Sequence, residues 1–119
     1  MSQALRVLIV EDMEDDVLMI LRQLRQGGFT PEHRMADSAQ ALDEALASDA
    51  WDIVISDYAL PAFSGMAALE IVRRRAPDLP VIIVSGAIGE ETAVALMKAG
   101  AQDYVMKSAL GRLVPAVQR

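Results

Sequence analysis

The chain has 119 residues, 53% of them apolar, and its 17 acidic against 11 basic side chains give a formal charge of −6. That length fits one domain with a core of its own, and the lack of cysteine removes thiol catalysis, disulfide scaffolds and Cys-based zinc sites. The acidic balance excludes a general nucleic-acid binder, whose affinity comes from Lys and Arg on phosphates. No apolar run approaches the ~18 residues of a membrane span, and the first one, Val7 to Val10, ends at Glu11 without the pattern of a signal peptide. A cytoplasmic location is expected.

In chain order, the β-branched run Arg6 to Val10 predicts a strand, and Val17, Ile20, Leu21 and Leu24 recur at helical spacing. That first helix opens with Glu14, Asp15 and Asp16, which suit the positive end of its dipole, and stops at Gly27-Gly28. A weaker strand falls around His33 to Ala36, with His33 read as a surface residue. The second helix carries Ala41, Leu42, Ala45 and Leu46, with Asp37 or Ser38 as its cap. Trp51 is expected to pack over the sheet edge before the strand Ile53 to Ser56. A third helix, capped by Ser64, presents Met66, Leu69 and Val72 and ends near Ala76 because Pro77 follows. Its last turn holds Arg73 to Arg75, read as a solvated helix end and not a phosphate patch. The strand Val81 to Val84, a helix with Ala93, Leu96 and Met97 ending at Gly100, and the strand Tyr104 to Met106 complete the alternation. The methionines read as core filler.

Continuous apolar strands alternating with helices imply a doubly wound α/β fold, a five-stranded parallel sheet flanked by about five helices. Ligands in such a sheet sit beyond the carboxyl ends of the strands, where strand order reverses. Those ends are Glu11-Asp12, Asp57, Ser85 and Lys107. Three carboxylates at one edge would repel one another, by about 4 kcal/mol per pair at ~4 Å and an effective dielectric of ~20. A divalent cation relieves that repulsion, and a small set of oxygen ligands suits Mg²⁺. With Lys107 and Ser85 added, the set fits a phosphoryl group, which needs a metal, a cation and neutral donors around its oxygens. Asp57, ionised at neutral pH, could then attack phosphorus without a general base.

At these residues the chain resembles the receiver domain of bacterial two-component response regulators, over nearly its whole length. The matching pieces are VLIVED at 7–12, SDYALPAFSG at 56–65, VIIVSGA at 81–87 and KAGAQDYVMK at 98–107. The resemblance implies a flavodoxin-like (CheY-like) three-layer fold and a signalling module that catalyses only its own phosphorylation and dephosphorylation. It implies that Asp57 accepts a phosphoryl group from a phosphohistidine on a sensor histidine kinase or a histidine phosphotransfer protein. Asp12, Asp57 and the Ala59 carbonyl would bind Mg²⁺, with Glu11 joining through water. Lys107 would pair with the acceptor and then the phosphoryl group, and Ser85 would hydrogen-bond a phosphoryl oxygen. Movement of Ser85 would pull the loop holding Gly86 and Gly89, and Tyr104 would turn inward, switching the face that controls an output module or partner. A phosphorylation-dependent homodimer is left open.

The family's usual proline after the last strand's lysine is Ser108 here, so a trans peptide is expected, since a non-proline cis form costs about 3 kcal/mol. The family's partner geometry on that face therefore does not carry over directly. Ala59 and Ala87 stand where family members vary the side chains that tune phosphoryl lifetime, which the sequence does not fix.

Each site residue also has a plainer reading: Asp12 as a helix cap, Asp57 as a turn residue before Pro61, Ser85 as a loop hydroxyl and Lys107 as a solvated charge. Only their joint occurrence at one sheet edge separates the readings. An aspartyl-nucleophile phosphatase of the haloacid dehalogenase type would need D-x-D after the first strand, where residues 12–14 read Asp-Met-Glu. A nucleotide site at Gly86 to Gly89 lacks G-x-G-x-x-G. A pseudo-receiver that only binds protein would be expected to lack one of the reacting residues.

After Lys107, apolar residues keep helical spacing, but Pro115 is tolerated only in a first turn, so the last helix should start near Arg112 or Leu113. About two turns remain, short of a typical helix. Residues 1–119 are therefore expected to be the receiver part of a longer protein, with this helix running on into an output or sensor module; the alternative is a stand-alone regulator with a frayed end.

Overall fold

The structure is a computed structural model that describes residues 2–86 and 88–118. Five strands, β1 (Gln3–Val10), β2 (Phe29–Ala36), β3 (Ile53–Asp57), β4 (Val81–Ser85) and β5 (Asp103–Met106), form one parallel sheet in the order β2-β1-β3-β4-β5. They alternate with α1 (Glu14–Gln26), α2 (Ala39–Ser48), α3 (Gly65–Arg75), α4 (Glu90–Lys98) and α5 (Leu113–Gln118), the last preceded by a 3₁₀ segment over Lys107–Arg112. Strand order reverses between β1 and β3, so the crevice for a ligand opens beyond their carboxyl ends.

The strand alternation sorts the core into two layers. Leu5, Val7 and Ile9 of β1, Ile53 and Ile55 of β3, and Ile82 and Val84 of β4 pack with α1 and α5. Leu8 and Val10, Val54, and Val81 and Ile83 pack with α2, α3 and α4. Every residue of β3 and β4 is buried, because helices cover both faces of these central strands.

The expected helix ends hold. Ser38 Oγ accepts from the Ala41 N–H and Ser64 Oγ from the Ala67 N–H, each at 3.1 Å. Gly28 and Gly100, with φ of 95° and 109°, turn the chain out of α1 and α4 in a conformation that L side chains disfavour.

Several expectations need correction. β2 begins at Phe29, four residues before the predicted His33, and pairs with β1 from Gln3↔Phe29 to Val10↔Ala36. Its polar first half and Pro31 hid it, yet an edge strand tolerates both. His33 is exposed as expected, but within the strand. Most methionines are not core filler: Met13, Met19, Met35 and Met97 are 36–54% exposed, while Met66 is half-buried and packs against the core. Leu, Ile, Val and Ala already fill the core from the inward faces. The arginine run is more engaged than a solvated end. Arg75 pairs with Asp43 of α2 through two bonds of 2.7 and 2.8 Å, and Arg73 donates to the carbonyls of Pro77 and Leu79. Trp51 packs at the amino-terminal end of β3, donating to the Ala45 carbonyl at 3.0 Å beneath the Arg6 guanidinium, 5.2 Å from its ring centre.

Gly65, the first residue of α3, is pressed against the loop after β3. Its N–H donates to the Tyr58 carbonyl at 2.6 Å, and a Cβ there would lie 2.7 Å from Tyr58 Cα and 2.9 Å from the Asp57 carbonyl oxygen. Both neighbours are backbone, so Gly65→Ala is expected to lower stability by about 1–3 kcal/mol in urea titrations. Gly111→Ala, with nothing within 4 Å of the added Cβ, should stay close to the parent.

Candidate functional site

The carboxyl ends of β1 and β3 bring Glu11, Asp12 and Asp57 together, with one carboxylate oxygen of each within 4.8 Å of the others. The same alternation that sorts the core also aims these groups. Asp57 follows Ile53 and Ile55 on the α1 side of the sheet, while Ser85 follows Val81 and Ile83 on the α4 side. Asp57 stands opposite Val84, and Ser85 opposite Met106, so Ser85 and Lys107 lie one step further along adjoining strands.

Glu11 is 1% exposed and Asp57 7%, and Asp12 is the more exposed member of the cluster. The Glu11 Oε1 accepts the N–H groups of Asp12 and Met13 at 3.0 and 3.1 Å, which fixes the turn from β1 into α1. Met13, not Asp12, is the N-cap of α1, and no side chain caps it. Burial pushes the Glu11 carboxyl above its ordinary range; the Met13 N–H opposes this, the Asp57 charge adds to it and the Lys107 charge works against it.

Lys107 is the cation among these acids. Its Nζ lies 3.4 Å from Asp57 Oδ2, 3.4 Å from Glu11 Oε2 and 2.7 Å from Asp16 Oδ2. Burial works against its charge, but the hydrogen bond to Asp16 and the charges of Asp57, Glu11 and Asp16 outweigh it and hold the ammonium above its ordinary range. Asp16, in the first turn of α1, is the site residue that sequence reasoning missed, because the helix dipole already accounted for an acid there. Its place four residues after Asp12, on the helix leaving β1, was the available signal.

The remaining expected residues lie around this centre. The loop carrying Ala59 is fastened by the Tyr58 N–H to the Val84 carbonyl at 3.1 Å and by a bridge between Ala59 and Ser64. Ser85 is buried at the end of β4. Tyr104 is half-buried on the α4 side, where it lines a groove of about 430 Å³ with Glu90, Val94 and Met97. Ala87, named for phosphoryl lifetime, lies outside the described residues. No peptide among the described residues is cis, and the chain after Lys107 enters the 3₁₀ segment, kinked at Ala109 (φ −133°, ψ 42°).

An oxygen-only set of three carboxylates, with Asp12 open to solvent, fits a hard divalent cation such as Mg²⁺ and no soft metal. Residues 7–118 match the family model of the response regulator receiver domain. The chain belongs to that family. The receiver domain is 43% identical over 103 residues to an NtrX-like response regulator of Rickettsia bellii, covering 85% of this chain and 21% of that protein. It is 36% identical over 104 residues to the response regulator FleR of Pseudomonas aeruginosa, covering 87% and 22%. The crystal structure of the receiver domain of NtrX from Brucella abortus matches it with a TM-score of 0.83 and 30% identity, over 95% of each chain. The chain thus spans about a fifth of the length of these two relatives. Receiver domains are signalling modules of two-component systems, not classical enzymes.

The raised carboxyl of Glu11 has a stability consequence. The fold binds this proton more tightly than the unfolded chain does, so the contribution is present below the unfolded value of 4.5 and is lost as pH rises through the folded value. Glu11→Gln is neutral throughout. In the presence of a chelator it should therefore gain on the parent as pH rises from about 4.5 to neutrality, read as a diverging pair of urea midpoints.

Proposed function

We propose that this receiver domain is a phosphoacceptor with Asp57 as the acceptor, a reading supported chiefly by one observation. Asp57 is nearly buried beside Glu11 and Asp12 in a cluster suited to a divalent cation, with the Lys107 ammonium 3.4 Å away. A carboxylate oxygen of Asp57 attacks phosphorus of a phosphohistidine on a sensor histidine kinase or histidine phosphotransfer protein. The P–N bond breaks, its electron pair stays on the imidazole nitrogen, and the acyl phosphate carries one more negative charge than the carboxylate it replaced. No general base is required.

The residues that would hold Mg²⁺ are Asp12, Asp57 and the Ala59 carbonyl, with Glu11 acting through water. When bound, the ion neutralises charge on the transferring phosphoryl oxygens. Lys107 pairs with Asp57 before transfer and with a phosphoryl oxygen afterwards. Ser85 donates its hydroxyl to another, and that movement draws on the loop through Gly86 and Gly89, where an added Cβ would meet nothing within 4 Å. Tyr104 then turns inward on the α4 side, and the altered face acts on the output module of a longer cytoplasmic protein, on a separate partner, or in a homodimer.

Incubation with acetyl phosphate and Mg²⁺ should add the mass of one phosphoryl group to the intact protein, and Asp57→Ala should gain none. A protein that stays unlabelled with every donor would instead be a pseudo-receiver, and continuous hydrolysis of a model ester would mark a phosphatase. Mg²⁺ should also raise the melting temperature, by mass action on the folded state. In Asp12→Asn that shift should shrink or vanish.

A further inference from the structure

Asp16 lies outside the set of strand-end residues, yet it holds Lys107 more closely than any of them. Lys107 Nζ donates to Asp16 Oδ2 at 2.7 Å and to Glu11 Oε2 at 3.4 Å, while its approach to Asp57 at 3.4 Å is an ion pair only. The Lys107 and Asp16 side chains are 25% and 27% exposed. Beneath them a cavity of about 10 Å³, lined by Asp16, Met19, Ile20, Val84, Lys107 and Leu110, is at the margin of what a single water needs. Shielded by that apolar lining, the pair is screened less than one on the open surface.

We propose that Asp16 is a positioning residue that competes with Asp57 for the Lys107 ammonium and so sets how readily the acceptor takes and keeps a phosphoryl group. The inference rests on the reading of Asp57 given above. In the resting domain Lys107 hydrogen-bonds to α1 and makes only an ion pair with the acceptor. To meet a phosphoryl oxygen on Asp57 it must loosen its bond to Asp16, and the free energy of that bond subtracts from phosphoryl affinity. Asp16 also belongs to α1, so whatever displaces the first turn of α1 alters how freely Lys107 reaches the acceptor.

The test is the affinity for beryllofluoride, a phosphoryl mimic, with saturating Mg²⁺, measured by calorimetry. Asp16→Asn, which keeps the shape and loses the charge, should bind roughly three- to tenfold more tightly than the parent, the range expected for a partly shielded ion pair. Asp16→Glu, which restores the charge, should return to within about twofold. In a Lys107→Gln background Asp16→Asn should have no effect, because the pair then has one member missing. Asp16→Ala is measured beside Asp16→Asn, and either variant that keeps the parent's urea midpoint suffices. Unchanged or weaker binding in that variant overturns the inference while leaving Asp57 as acceptor. Loss of the fold in both overturns it too, since the pair would then be structural. A parent that binds no beryllofluoride overturns the reading of Asp57, and this inference with it.

Discussion

One ammonium faces more carboxylates than it can neutralise at the carboxyl edge of the sheet. Lys107 reaches Asp16, Glu11 and Asp57 within 3.4 Å, and Asp12 shares the cluster with the last two. In water such a crowd would cost little; at the end of a sheet covered by helices on both faces, the charges are only partly screened. Much of the local architecture bears on that imbalance. Glu11 spends one oxygen on two backbone N–H groups, Asp12 stays open to solvent, and Asp16 leans in from α1 to hold the cation in place. What remains is a cluster of carboxylates that could hold a divalent cation.

The sheet delivers these groups by register. Because side chains alternate, Asp57 emerges on the α1 side with Ile53 and Ile55, and Ser85 and Tyr104 emerge on the α4 side with Ile83. Charge is thus gathered on one side of the sheet and the Ser85 hydroxyl and Tyr104 ring on the other, only one register step apart across β3, β4 and β5.

Much of this was legible in the sequence. Val7 to Val10, Ile53 to Ser56 and Val81 to Val84 suit strands buried on both faces, and in a parallel sheet the polar residues following such runs gather at one edge. Ser38 and Ser64 announced helix starts through their chemistry. What escaped had physical reasons. The first half of β2 carries an edge strand's polarity, so its composition mimics a loop until β1 supplies the pairing. Asp16 had a sufficient local explanation in the helix dipole, and its spacing from Asp12 alone could not reveal a contact to Lys107 across 91 positions of sequence. Four of the methionines are exposed because apolar character does not require burial, and exposed apolar side chains are ordinary on a small domain.

The balance of charges also explains why such a site suits signalling better than turnover. An enzyme gains from groups that favour the transition state over substrate and product alike. If Asp57 is the acceptor, as proposed, the product stays attached, and what matters is how far one added negative charge shifts an equilibrium between two arrangements of the same side chains. A site saturated with cations would bind a phosphoryl group tightly and hardly respond to it. A site with a single ammonium, already engaged by Asp16 and Glu11, would have to redistribute that ammonium on the proposal that Asp57 gains charge. On the proposal that Asp57 is the acceptor, scarcity of positive charge would couple it to α1 on one side and to the end of β5 on the other.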